Sequence, residues 1–152
     1  MKKLTLDYEA PQQMQTLGIS CQLADYKLIF RINKQLNIKF VRLESFTVNA
    51  GRFSGTYSLY HFYDSENEMD IYLLSNKMDN GVLISDFKQL DYFLILRGEY
   101  VDEDLLLSYK IQLRQVDDIL FLQTIDIESI KNYLLFAEAY ELHIEKCTPE
   151  IS

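Results

Sequence analysis

Two histidines, two cysteines, two prolines, five glycines and no tryptophan are spread over 152 residues, and each shortage closes off a class of function. A closed zinc site takes four nitrogen or sulfur ligands. Here Cys21, His61, His143 and Cys147 would have to converge from distant parts of the chain, without CxxC spacing. His143 and Cys147 lie four residues apart with Glu141 close by, which is soft-metal spacing on one helix face. We read them as a solvated C-terminal tail and assign no metal. Neither cysteine has a neighbouring histidine in a catalytic pattern, and no serine sits in GxSxG. The glycines form neither GxGxxG nor GxxxxGK[ST], so no phosphate-cradling loop is expected. No run approaches the roughly 18 apolar residues of a membrane span. No apolar segment follows Lys2-Lys3, so a secretory leader is not expected either. The expectation is a cytoplasmic protein with two reduced thiols, no cofactor and no catalytic residue that can be named.

What is present is a globular composition, 48% hydrophobic and 25% charged, of a length that suits one domain. Such a chain buries roughly two-thirds of the surface its unfolded form exposes, so it folds without a disulfide or a metal. Net charge is −8, unevenly spread. Residues 1–56 carry eight basic and four acidic side chains, while residues 57–152 carry seven and nineteen. An acidic chain repels phosphate backbones, so nucleic acid is not an expected partner. The basic N-terminal third (Arg31, Lys34, Lys39, Arg42, Arg52) is interleaved with Phe30, Phe40 and Phe46, a composition that also suits stacking on single strands. Those aromatics fall on expected core faces, and a phosphorylated ligand or an acidic protein suits the charges equally.

Periodicity supplies the elements. Leu4, Leu6 and Tyr8 alternate with polar residues and predict a short strand, and residues 9–18 read as loop. Ser20 is placed to cap a helix over 21–36. In it Cys21, Ala24, Leu28, Ile32 and Leu36 recur at helical spacing, widened by Leu23, Tyr26 and Phe30, and Asn37 stops it. A strand is predicted over 38–44 and a loop over 49–55. Residues 57–63 and 69–75 flank a polar loop and predict a hairpin, with Phe62 opposite Ile71 and Tyr60 opposite Leu73. Asn80-Gly81 is a turn dipeptide. Phe93–Leu96 suits a strand buried on both faces. Asp102 to Asp104 open a helix with a buried stripe of Leu106, Tyr109, Leu113 and Val116, followed by a strand over 119–125. Asp126 then caps a last helix with Ile127, Ile130, Leu134 and Ala137 in register. A right-handed crossover would make the strands near 93 and 119 parallel. The fold class is α+β: a single two-layer domain over 1–136, with a mixed, mostly antiparallel sheet of about five to six strands and helices mainly on one face. Residues 137–152 read as a helical extension or tail.

Acidic clusters at Asp64–Asp70, Asp102–Asp104 and Asp117-Asp118 sit at turns and helix starts, where charge is solvated or caps. Eleven tyrosines, several on the central hairpin, suit either a protein interface or a second core layer. One stretch is less ordinary. In Gly81–Gly98 (GVLISDFKQLDYFLILRG) two apolar runs enclose a polar knot, Ser85-Asp86-Phe87-Lys88-Gln89, followed by Asp91 and Tyr92.

The segment Ile84–Tyr92 resembles the signature of the IPExxxVDY family, small bacterial proteins named for that motif. Ile84, Asp91 and Tyr92 match, Leu90 stands for Val, Asp86 for Glu, and Ser85 for Pro. Ser75-Asn76-Lys77 before the motif, Gly98 after it and Asp25-Tyr26 also look like that family, over most of the chain to about Phe136. The resemblance implies a cytoplasmic setting and brings no particular chemistry. The motif itself admits two readings. In one, Ser85 and Asp86 make a turn, Asp91 bonds an amide where a strand begins, and Tyr92 packs with its hydroxyl satisfied. In the other, Asn76, Lys77, Asp86, Lys88, Asp91 and Tyr92 converge on a small ligand at one sheet end. Three functions follow: a non-catalytic adaptor that binds a protein partner or a second copy of itself, a small-ligand regulatory domain, or an enzyme working through paired carboxylates.

Overall fold

The structure, a computed structural model, describes residues 13–79 and 81–147. The strand expected at Leu4–Tyr8 lies outside them. Leu17, Ile19 and Cys21 alternate with Thr16, Gly18 and Ser20, and this period of two wins over the helical reading of Cys21. Gln13–Cys21 is therefore a strand, β1, where a loop and a helix start were expected. Helix α1 runs Asp25–Leu36, with Ala24 rather than Ser20 at its N-cap. It ends as expected on Asn37, whose left-handed backbone sends its N–H back to the Asn33 carbonyl.

Strand β2 is only Val41–Arg42. The expected loop at 49–55 is instead a hairpin of β3 (Phe46–Ala50) and β4 (Phe53–Tyr57). Gly51 supplies the positive φ of its turn. Strands β5 (Leu59–Asp64) and β6 (Met69–Ser75) pair in the expected register, Phe62 opposite Ile71 and Tyr60 opposite Leu73. A small ladder of β7 (Lys77–Met78) and β8 (Gly81–Val82) follows, then a 3-10 turn at Ser85–Phe87. Strand β9 (Tyr92–Gly98), helix α2 (Glu103–Leu113), strand β10 (Ile119–Ile125), a 3-10 turn at Ile127–Ser129 and helix α3 (Tyr133–Cys147) complete the chain.

Among the described residues the main sheet has six strands in the order β10-β1-β9-β6-β5-β2, each pair antiparallel. The domain is α+β, as expected. The mixed pairing is corrected: β9 and β10 do run the same way, but β1 lies between them, so no parallel ladder forms. Sequence pattern gave the strand directions and missed the strand that fills the gap.

The sheet buries both faces. On one, Leu17, Ile19, Ile71, Leu73, Leu94 and Leu96 pack under α1 and α2 through Leu28, Ile32, Leu106 and Leu113. On the other, Leu59, Tyr72, Leu74, Phe93 and Ile95 meet the β3–β4 hairpin and α3 through Phe46, Phe53, Phe136, Tyr140 and Ile144. Two of the three helices thus share a face, and the hairpin with α3 adds a third layer to the two that were expected. The stripe expected for the last helix breaks at Leu134, which is exposed. Asp126 caps only the 3-10 turn, and α3 starts later on a stripe of Phe136, Tyr140 and Ile144. Residues 137–147 therefore continue α3 into the core.

Candidate functional site

The polar knot sits where β6 hands over to β7 and where β9 begins. Asn76 follows the last residue of β6 and is wholly buried. A buried amide needs all its bonds, and this one has them. Its Oδ1 accepts from the Ile84 N–H at 2.8 Å. Its Nδ2 donates to the carbonyls of Leu90 (2.9 Å) and Phe87 (3.0 Å), with Ile84 O more distant at 3.5 Å. Its backbone adds two bonds, N–H to Asp91 O and C=O from Leu83 N–H, both 2.8 Å. One side chain thus holds the segment 84–90 closed. Beside it the Ser75 hydroxyl accepts from Ser58 N–H at 2.9 Å, fixing the start of β5.

Asp91 and Tyr92 tie the same corner to β1 and the start of α1. The β1 register slips between Ser20 and Cys21, and Asp91 Oδ2 takes the Cys21 N–H at 2.8 Å. Its other oxygen faces Lys77 Nζ at 3.2 Å. The buried Tyr92 donates its hydroxyl to Leu23 O at 2.6 Å. Burial first, then the nearby Asp25 charge, raises that hydroxyl well above the ordinary tyrosine value, so it remains a neutral donor. Asp86 turns the other way. It pairs with Arg52 of the β3–β4 turn at 2.5 Å and accepts from Lys131 N–H at 3.2 Å. Arg52 also bonds Ser85 Oγ and Lys131 O, each at 2.8 Å. The Arg52 bond, more than the opposing desolvation, holds the Asp86 carboxyl below its ordinary range. Lys88 is exposed.

The six candidate residues are thus neighbours in the chain that do not share a cleft. Asn76 and Tyr92 point into the protein, Lys77 and Asp91 pair on one side, and Asp86 faces a different hairpin. The polar atoms of Asn76, Asp91 and Tyr92 bond backbone, Asp91 also pairs with Lys77, Asp86 pairs with Arg52, and Lys88 stands exposed. The turn reading of Ser85 and Asp86, the amide bond of Asp91 and the satisfied hydroxyl of Tyr92 are all present. Arg52, which completes the corner, falls in the stretch 49–55 where the pattern predicts a loop.

In the Asp64–Asp70 cluster, Asp64 and Asp70 are similarly occupied. Asp64 is buried and accepts from the amides of Glu66 and Asn67, from Asn67 Nδ2 and from Tyr109 OH. Burial raises its pKa, but these four bonds together outweigh it and bring the value below the ordinary 3.8. A carboxyl whose folded pKa lies below its unfolded one stabilises the fold above the unfolded value and loses that contribution as pH falls through the folded one. Stability should therefore decline below about pH 4, and Asp64→Asn should flatten that decline in urea melts from about pH 2.5 to 6. An unchanged slope in the variant would remove Asp64 from the explanation. Asp70 bonds His61 Nε2 at 2.7 Å, and His143 Nε2 meets Glu44 O at 2.8 Å. Among the described residues no three His, Cys, Asp or Glu side chains gather to hold a metal.

On the hairpin and the strand before it, Tyr57, Tyr60 and Tyr72 are buried in the core and Tyr63 is half-buried, while Tyr26 and Tyr100 are exposed elsewhere. Apolar surface is exposed elsewhere. Leu107 and Ile111 on α2 are 49% and 51% exposed, and Leu120 and Phe121 on β10 are 65% and 51% exposed. The signal for the first two was available, since both fall off the buried stripe of their helix. No protein-family model matches the chain, and no curated protein does either.

Proposed function

We propose that this chain is a non-catalytic interaction domain of the cytoplasm, with its working surface on α2 and the open edge of β10. The observation that carries this is the contrast between the two sheet edges. Exposed edge strands are ordinarily blunted by charge, proline, a bulge or brevity. The β2 edge is two residues long and holds Arg42. The β10 edge runs seven residues, Ile119–Ile125, without a charged residue or proline. Its one irregularity is Leu120, skipped where Ser20 pairs with Phe121 and Cys21 with Ile119. Leu107 shares a groove with Thr124 of that edge and Ile111 lies one turn further along α2, so among the described residues exposed apolar area lies near unpaired backbone groups, a combination that recruits protein. The signature corner offers a small ligand little, because the polar groups of Asn76, Asp86, Asp91 and Tyr92 already bond the fold.

Membership of the IPExxxVDY family belongs to the same reading. Its support is that Asn76, Asp91 and Tyr92, three positions carrying the resemblance, make the bonds that close the corner. No helix among the described residues is long and apolar enough to cross a membrane.

The test is capture from native cells by the tagged chain and by Leu107→Lys/Ile111→Lys, both at exposed positions and so nearly neutral for folding. Any stoichiometric protein counts, an untagged copy included. Binding should fall at least about tenfold in the double variant, as a desolvated charge inside an interface demands. Equal capture by both chains would place the working surface elsewhere.

A further inference from the structure

We infer that the occupant of the α2–β10 face is a second copy of this chain, docked antiparallel about a two-fold axis. This rests on the reading of that face as the working surface. The outward stripe of α2 and its C-cap is Asp104, Leu107, Ile111 and Arg114, all exposed. Its spacing is three, four and three residues, which keeps one helix face and reads the same from either end. When two such helices lie antiparallel, Asp104 meets the other copy's position 114, and Leu107 meets position 111. Acid faces base and leucine faces isoleucine, twice over, as an isologous contact requires. Acid at the start and base at the end also suit the helix dipole, so the second copy is argued from this stripe together with the uncharged β10 edge, which among the described residues is free to pair with the same edge of another copy.

The strand agrees with the helix. Arg114 lines a shallow groove with Ile119 to Leu122, and Asp104 and Leu107 line another with Thr124. Helix and strand therefore run antiparallel at the same level. The ten-residue step from Asp104 to Arg114 covers about 15 Å, and the strand from Leu120 to Thr124 covers about 13 Å. The midpoint of the stripe falls at residue 109 and that of the strand at Leu122. One axis can serve both, pairing Phe121 with the other copy's position 123 while the α2 stripes meet above. The two six-stranded sheets then continue into one, and the uncharged edge is covered.

The test is sedimentation equilibrium of the full chain from about 1 to 200 µM, the range of an interface of ordinary size and modest affinity. A concentration-dependent dimer is expected. Asp104→Lys sets lysine against Arg114 in both halves of the contact, and Arg114→Glu sets glutamate against Asp104. Each single variant should dimerise about tenfold more weakly. An equal mixture of the two should recover dimers, because each mutant side chain then faces its opposite and the wild-type pair is intact. A wild-type monomer throughout the range overturns the inference, and so does a dimer indifferent to these changes or a mixture that does not recover. A monomer whose α2 face still captures another protein would overturn the second copy and keep the interaction domain. A monomer whose β10 amides are already protected from exchange would mean the edge is covered from within the chain, which also overturns it.

Discussion

Asn76→Ala is expected to lower the stability of this chain by about 4 kcal/mol, since each buried polar group left unpaired costs about 1–3 kcal/mol and relaxation recovers part of the sum. The buried Ile84 amide and Leu90 carbonyl lose their side-chain partner, and Phe87 O is left with the Leu90 N–H alone. Domains of this size are stable by roughly 5–15 kcal/mol, so the variant approaches the edge of folding. Asn76→Asp separates the two halves of the amide. It keeps an acceptor for Ile84 N–H but turns a second oxygen toward carbonyls, so it should be at least as unstable at neutral pH. It should recover as pH falls toward about 5, because burial raises that carboxyl's pKa and its protonated form can donate. Urea melts followed by far-ultraviolet circular dichroism measure both, in a protein without tryptophan. A loss below about 1 kcal/mol for Asn76→Ala, the value of one ordinary exposed bond, would mean the amide does not hold the corner.

The second large effect lies across the same corner. Gly18 is in β1, between β9 and β10, and a Cβ there would stand 2.2 Å from Leu90 Cδ1. Leu90 is wholly buried and has little room to retreat. Gly18→Ala is therefore expected to cost about 2–3 kcal/mol through overpacking. Leu90→Val alone removes a methylene and should cost about 1 kcal/mol. Together they should cost less than their sum by about 1–2 kcal/mol, since each supplies what the other lacks. Valine is also what the resembled signature has at that position. Strict additivity in the double-mutant cycle would mean that Gly18 and Leu90 do not press on each other.

Much of this fold is legible in the pattern of residues. The β5–β6 register follows from alternating faces, the span of β10 from an apolar run between turns, and the α2 cap from Asp102, which accepts from Leu105 N–H. Where the reading failed, two periods competed over the same residues. Leu17, Ile19 and Cys21 satisfy a strand, while Cys21, Ala24 and Leu28 satisfy a helix, and only the neighbours β9 and β10 decide between them. The pair Asp25–Arg31 and Asp91–Arg97 makes the point more sharply. They share five of seven residues, yet the first is helix and the second enters a strand. Tyr26 is exposed at 63% and Tyr92 is buried. Local chemistry is the same in both; burial on two faces of a sheet is not. The role of Asn76 was hidden for a related reason. Its partners lie eight to fourteen residues downstream, in a segment whose path no periodicity describes.

Amide hydrogen exchange on the full chain tests the central claim most directly, namely that the signature corner is a closed structural joint and the open chemistry lies at the sheet edge. The amides of Asn76, Leu83, Ile84 and Asp91 are bonded across the corner. They should exchange only with global unfolding, at rates that track urea stability and ignore protein concentration. The outward amides of β10 should exchange faster, and should slow as concentration rises. The opposite pattern contradicts the claim: corner amides opening orders of magnitude faster than global unfolding, as a ligand loop does, beside a β10 edge already protected at every concentration.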